Sequence, residues 1–163
     1  MLEEIKRKSW HQQAVEDFMG LAGQNVPSKP KDLDAATAEL RIRLMLEEVL
    51  ETANAAGVTV TFHGECKLNS PVTNHITDFS CERTHEFDLV EFVDGCCDTL
   101  VVTTGSLSAA GIPDSYPMQL VDWNNLTKFG PGHSIDEHGK LIKPKTHQSV
   151  HADLATFVRL LTV

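Results

Sequence analysis

Six carboxylates in two short stretches are the residues of this chain best spaced to do chemistry. Glu47, Glu48 and Glu51 stand in Leu46-Glu47-Glu48-Val49-Leu50-Glu51, and Glu91, Asp94 and Asp98 follow some forty residues on. At helical pitch the first three fall within an arc of roughly 100°, and the second three, spaced i, i+3 and i+7, within roughly 60°. Glu47 and Glu51 are also a like-charge i,i+4 pair, which costs an isolated helix a few tenths of a kcal/mol. If the two helices pack side by side, six negative charges share one groove and repel strongly. Carboxylate oxygens suit hard divalent cations, Mg²⁺ or Mn²⁺, and a cation held this way commonly completes its shell with water and substrate phosphates. The bland alternative is a pair of solvated faces. Against it, both stripes interrupt the apolar arcs of the two most hydrophobic helices in the sequence.

A second cluster competes. His63-Gly64-Glu65-Cys66 and Cys81-Glu82-Arg83-Thr84-His85 supply two pairs of soft ligands, the composition of a structural zinc site. Their order and spacing are not those of a standard finger.

The elements that must position the acids follow from periodicity. A helical period runs from Glu3 to about Leu21, with Ile5, Trp10, Ala14, Val15, Phe18 and Leu21 as expected core positions. Pro27 and Pro30 mark a linker. Asp32 or Asp34 then caps the helix carrying Glu47, Glu48 and Glu51, whose broad apolar arc (Leu40, Leu44, Val49, Leu50) predicts a surrounded helix. Alternation over 58–63 predicts a strand, with 76–79 pairing back to it. The helical period returns near Glu86 and lasts to about Ala110. Pro113 suits the first turn of a further helix through Leu126, and a last helix spans Val150 to Leu161. The expected fold is mainly α: four or five helices in a bundle, with a short β-hairpin-like excursion between the two acidic helices. The chain reads as a single domain over 1–163, with 57–85 inserted and 133–163 as a tail and docking helix.

Composition limits the partners. A formal net charge of -9 argues against a nucleic acid polymer or an anionic membrane. No stretch resembles a signal peptide or a membrane span, and Cys96 and Cys97 read as small buried hydrophobes. A cytoplasmic location is expected. Trp10, Phe18 and Trp123, at helical spacing, read as core rather than as stacking surfaces for a base.

The acidic motifs resemble the EExxE and ExxD signature of the all-α nucleoside triphosphate pyrophosphohydrolases, the superfamily of MazG-type enzymes, dimeric dUTPases and phosphoribosyl-ATP pyrophosphohydrolase. The likeness extends to Phe18–Pro30, to Thr104-Gly105 with Ala110-Gly111-Ile112, to Asn125-Leu126-Thr127-Lys128 and to Gly139-Lys140-Leu141-Ile142-Lys143. It implies Mg²⁺ held by Glu48, Glu51 and Asp98, joined by Glu47 and by Glu91 or Asp94. Glu47 and Glu48 would be the catalytic acids, with Glu47 as ligand or proton acceptor. Asn125, Lys128, Lys140 and Lys143 would contact substrate. The pattern departs at Gly95, where a glutamate three before Asp98 is expected, so Glu91, Asp94 and Asp98 compete for two places. The implied activity is hydrolysis of a nucleoside triphosphate to the monophosphate and pyrophosphate, by a homodimer or homotetramer. The alternative is a helical module that binds nucleotide or metal without turnover.

Overall fold

The computed structural model describes residues 2–62, 79–136, 139 and 141–162. In chain order these form α1 (Leu2–Ile5), α2 (Trp10–Leu21), α3 (Ala35–Ala55), β1 (Val58–Phe62), β2 (Phe79–Arg83) and α4 (Leu89–Ala109). Then come α5 (Ser115–Leu126), a 3₁₀ turn at Thr127–Phe129, β3 (Ser134–Ile135), β4 (Leu141–Ile142) and α6 (His151–Leu161). The protein is mainly helical with a short hairpin between the acidic helices, as the periodicity predicts; the two-residue ladder of β3 and β4 lies outside that expectation. Among the described residues no helix is long and apolar enough to cross a membrane. Two compact units divide the chain: Met1–Leu33 with Thr104–Val163, and Asp34–Thr103.

The second of these units carries both acidic stripes. Asp34 begins α3 by accepting the Thr37 N–H at 2.8 Å, which settles the choice left open between Asp32 and Asp34. At the far end Gly57 takes a positive φ of 74°. A Cβ there would overlap the His85 carbonyl oxygen, so glycine is required by conformation and by space together. The Gly57 carbonyl accepts the Thr84 N–H at 2.9 Å, and the Ala55 carbonyl accepts the Asp88 N–H at the same distance. Between these anchors β1 and β2 pair antiparallel from Val58 with Arg83 to Phe62 with Phe79. Among the described residues the return strand occupies 79–83 and includes Phe79 of the expected 76–79. Residues 76–78, like His63 and Cys66 of the candidate zinc cluster, lie outside the described residues.

The chain thus returns along α3. Asp88 caps α4 by accepting from the Val90 and Glu91 N–H groups at 3.0 and 3.1 Å. Further along, Gly95 meets Thr52: a Cβ on Gly95 would lie 2.6 Å from Thr52 Oγ1 and 3.1 Å from its Cα. Contacts at 55/88 and 52/95 define an antiparallel pair of helices. The surrounded α3 expected from its apolar arc is not what a single chain shows. Only Arg41 and Ala55 are buried along it, and Leu40, Val49 and Leu50 stay exposed, because the arc is wider than one neighbouring helix covers.

The other unit has its core at Ile5, Phe157 and Leu161, with Ile112, Tyr116 and Leu120 packed against them. The Tyr116 and Phe157 rings lie 5.5 Å apart. The expected single helix over Glu3–Leu21 is broken at 6–9, where Ser9 caps α2 by accepting the Gln12 N–H at 3.0 Å. Its buried face is Gln12, Val15 and Met19. Trp10, Phe18 and Leu21 lie on the opposite side, and Trp10 and Phe18 are 81% and 64% exposed, as is Trp123 at 73% on α5. These aromatics are not core in the single chain.

What turns α2 this way is a buried polar hub. Gln12 Nε2 donates to Ser108 Oγ at 3.0 Å and to the Ile112 carbonyl at 2.8 Å, and Gln12 Oε1 accepts the Asp114 N–H at 2.8 Å. Asp114 in turn accepts from the N–H and hydroxyl of Ser9. A side chain with this many partners can face only inward. Gln12→Leu leaves the Asp114 N–H without its acceptor and is expected to cost about 2 kcal/mol, read as a lower denaturant midpoint at unchanged m.

Candidate active site

Between α3 and α4, in the stretch that includes Ala55 and Gly95, a pocket of about 590 Å³ opens within the Asp34–Thr103 unit. Glu51 lines it from α3, Glu91, Asp94 and Asp98 from α4, and Glu86 and Asp88 from the segment between. Among the described residues no lysine or arginine lines it. All three acids of the second stripe thus join Glu51 in one cavity. Glu47 and Glu48 lie outside the lining, but Glu48 is bound to the group electrostatically. Its carboxyl is held above the usual carboxylate range, first by burial, then by the charges of Asp98, Glu51, Glu47 and Asp94. Two of those neighbours stand on α3 and two on α4, so the field at Glu48 is the sum of both stripes.

Gly95 also finds its reason here. A side chain at that position would run into Thr52, and glycine is what lets α3 and α4 approach closely enough to share a pocket.

Asn54 and His85 line the same pocket, and neither figures in the acidic motifs. Asn54 lies three residues beyond Glu51, and Asp88 three before Glu91, so extending each helical stripe by one turn would have found both. His85, grouped by spacing with the zinc candidates, is engaged otherwise. Its Nε2 lies 2.8 Å from the Asn54 carbonyl and its Nδ1 3.0 Å from Thr84 Oγ1.

The remaining expected contacts belong to the other unit. Lys128 Nζ donates to Asn125 Oδ1 at 2.7 Å, an i,i+3 pair that orients the ammonium. Asn124 is occupied with the Gln148 carbonyl at 2.9 Å. Lys143 is exposed beyond β4, and Lys140 lies outside the described residues.

The donor set suits a hard cation: among the described residues the acidic side chains of the lining are accompanied only by the amide of Asn54 and the imidazole of His85 as polar side chains. Among the described residues no three acidic, histidine or cysteine side chains converge closely enough to enclose a metal ion. Mutual repulsion holds such carboxylates apart, and a hydrated Mg²⁺ needs only a few of them directly.

A consequence for pH follows. Because the folded state holds the Glu48 proton more tightly than the unfolded chain, this group's contribution to stability falls as pH rises through its raised value. In chelating buffer, Glu48→Gln should therefore gain Tm over wild type near neutral pH. The gain should vanish as pH falls into the ordinary carboxylate range, as paired thermal melts would show.

Comparison with known proteins agrees with this geometry. The family model described as phosphoribosyl-ATP pyrophosphohydrolase matches residues 15–123, more than half the chain and all six acids. The chain belongs to that family, within the MazG-like nucleoside triphosphate pyrophosphohydrolase superfamily, whose chemistry is hydrolysis of a nucleotide phosphoanhydride. No curated protein matches it.

Proposed function

We propose that the protein is a Mg²⁺-dependent pyrophosphohydrolase that cleaves a nucleoside triphosphate, or a related nucleotide, to the monophosphate and pyrophosphate. The observation that carries this reading is the single pocket lined by acids of both helices inside the region matched by the family. Glu48, Glu51 and Asp98 hold the metal, with Glu47, Glu91 and Asp94 completing or flanking the set. When bound, Mg²⁺ or Mn²⁺ neutralises phosphate oxygens and lowers the pKa of a water. Water attacks the α-phosphorus, the new P–O bond forms as the α–β anhydride bond breaks, and Glu47 accepts the proton. Asn125 orients Lys128, and the family resemblance makes Lys128, Lys140 and Lys143 candidate point charges for a substrate.

The family match runs through both compact units, which supports one functional domain over 1–163. Exposed Ile42, Leu46, Val49, Val90 and Val93 on the acidic helices support a homodimer or homotetramer. The free thiols of Cys81, Cys96 and Cys97 suit the cytoplasm. A panel of NTPs and dNTPs with Mg²⁺ or Mn²⁺, scored for pyrophosphate, tests the activity. Release from at least one nucleotide is expected. Tight nucleotide binding with no product from any would instead make the protein a non-catalytic binding module.

A further inference from the structure

A second, smaller cavity carries the opposite charge. It lies within the unit formed by Met1–Leu33 and Thr104–Val163 and has a volume of about 180 Å³. Lys6, Lys8 and Lys29 line it with Ser28 and the apolar Pro30, Pro113 and Leu161, and among the described residues no acid lines it. In a chain of net charge -9, three of the fourteen basic residues converge on this one hollow.

The three lysines reach this hollow on separately fastened segments. The turn carrying Lys6 and Lys8 is fixed where the Ser9 N–H donates to Asp114 at 2.8 Å. Lys8 is steadied further by Glu16, 2.6 Å away. The linker carrying Ser28 and Lys29 is pinned by the Lys31 N–H donating to the Ala110 carbonyl at 3.1 Å. It also presses the Lys29 carbonyl against Gly111, whose φ of 71° and lack of a Cβ admit the contact. Leu161 is held in the hydrophobic core. Glu16 offsets the charge of Lys8, which leaves Lys6 and Lys29 as the pocket lysines whose charge an anion would draw on.

We propose that this pocket is a binding site for a small phosphate anion, separate from the acidic pocket. Lysine ammoniums are compact point charges with three donors each, and the Ser28 hydroxyl adds a further donor. The volume, the share of roughly six waters, suits one or two phosphoryl groups rather than a whole nucleotide. The site needs no metal, which separates it experimentally from any phosphate binding through the carboxylates.

Titration calorimetry in EDTA at low salt, with phosphate, pyrophosphate and AMP as separate probes, tests it. One equivalent of phosphate or pyrophosphate should bind, more weakly as salt is raised. The Lys6→Gln/Lys29→Gln double variant should lose about a hundredfold in affinity, tenfold for each charge removed. Glu48→Gln should bind as wild type does. Saturating anion should raise the Tm of wild type but not of the double variant, which also reports that the variant is folded. AMP binding as tightly as phosphate would identify the source as a nucleotide phosphate; weaker AMP binding would identify the free anion. No binding of any probe, or equal binding by the double variant, overturns the proposal.

Discussion

Glu48→Gln is expected to lower pyrophosphate release at least about a hundredfold while raising the Tm of the metal-free protein. The two effects come from one cause. Glu48 is the acid pushed up by burial and by four surrounding carboxylates, so its charge destabilises the empty fold. In the proposed function the same crowding of negative charge would attract a divalent cation and, through it, a polyphosphate. Glutamine keeps the shape and removes the charge, relieving the repulsion and weakening the cation's hold together. A variant that loses activity and stability in parallel would point to a structural role for Glu48. Unchanged turnover would remove it from the catalytic machinery. Mg²⁺ titration of the variant, read by protection against thermal unfolding, should show the weakened metal affinity directly.

The second large effect concerns Gly95. Gly95→Glu places an acid three residues before Asp98 and so supplies the missing glutamate of the motif. It should nonetheless cost about 3 kcal/mol and abolish activity, because the added Cβ would sit 2.6 Å from Thr52 Oγ1 and 3.1 Å from its Cα. Trimming Thr52 to alanine relieves the hydroxyl but not the backbone. The double variant should accordingly recover only part of the loss, a coupling that chemical denaturation of the four members of the cycle measures. Full tolerance of Gly95→Glu would mean that the close helix pairing does not shape the pocket.

The acidic stripes were legible because helical spacing alone puts Glu47 with Glu51, and Asp94 with Asp98, on common faces. Gly95 was not. In the sequence it reads as a gap in a motif, whereas its role depends on Thr52, a residue on the other helix. The orientation of α2 was hidden for a related reason. That helix has two faces able to be buried, and the choice is made by Gln12, whose partners Ser108, Ile112 and Asp114 lie about a hundred residues away. Apolar patterning favours Trp10 and Phe18, and a polar residue with three distant hydrogen bonds outweighs them. The lysine pocket was equally unreadable, since Lys6, Lys8 and Lys29 become neighbours only through separate backbone anchors. The other helices, and the hairpin between the acidic pair, follow from local pattern with small shifts of boundary; the break at 6–9 that divides α1 from α2 does not.

The ladder of β1 and β2 has a bearing on how the gene for such a protein can change. Its base is fastened to the helices at Gly57, Ala55 and His85, and its far end is closed by Phe62 opposite Phe79, with ring centroids 6.0 Å apart. Register between the two acidic stripes is set below that closure. Substitutions at the Phe62–Phe79 end of the ladder should therefore leave Glu51 unmoved relative to Asp98, whereas a side chain at Gly57 strikes the anchor itself. Sequence change in this unit is tolerated at one end of the ladder and resisted at the other.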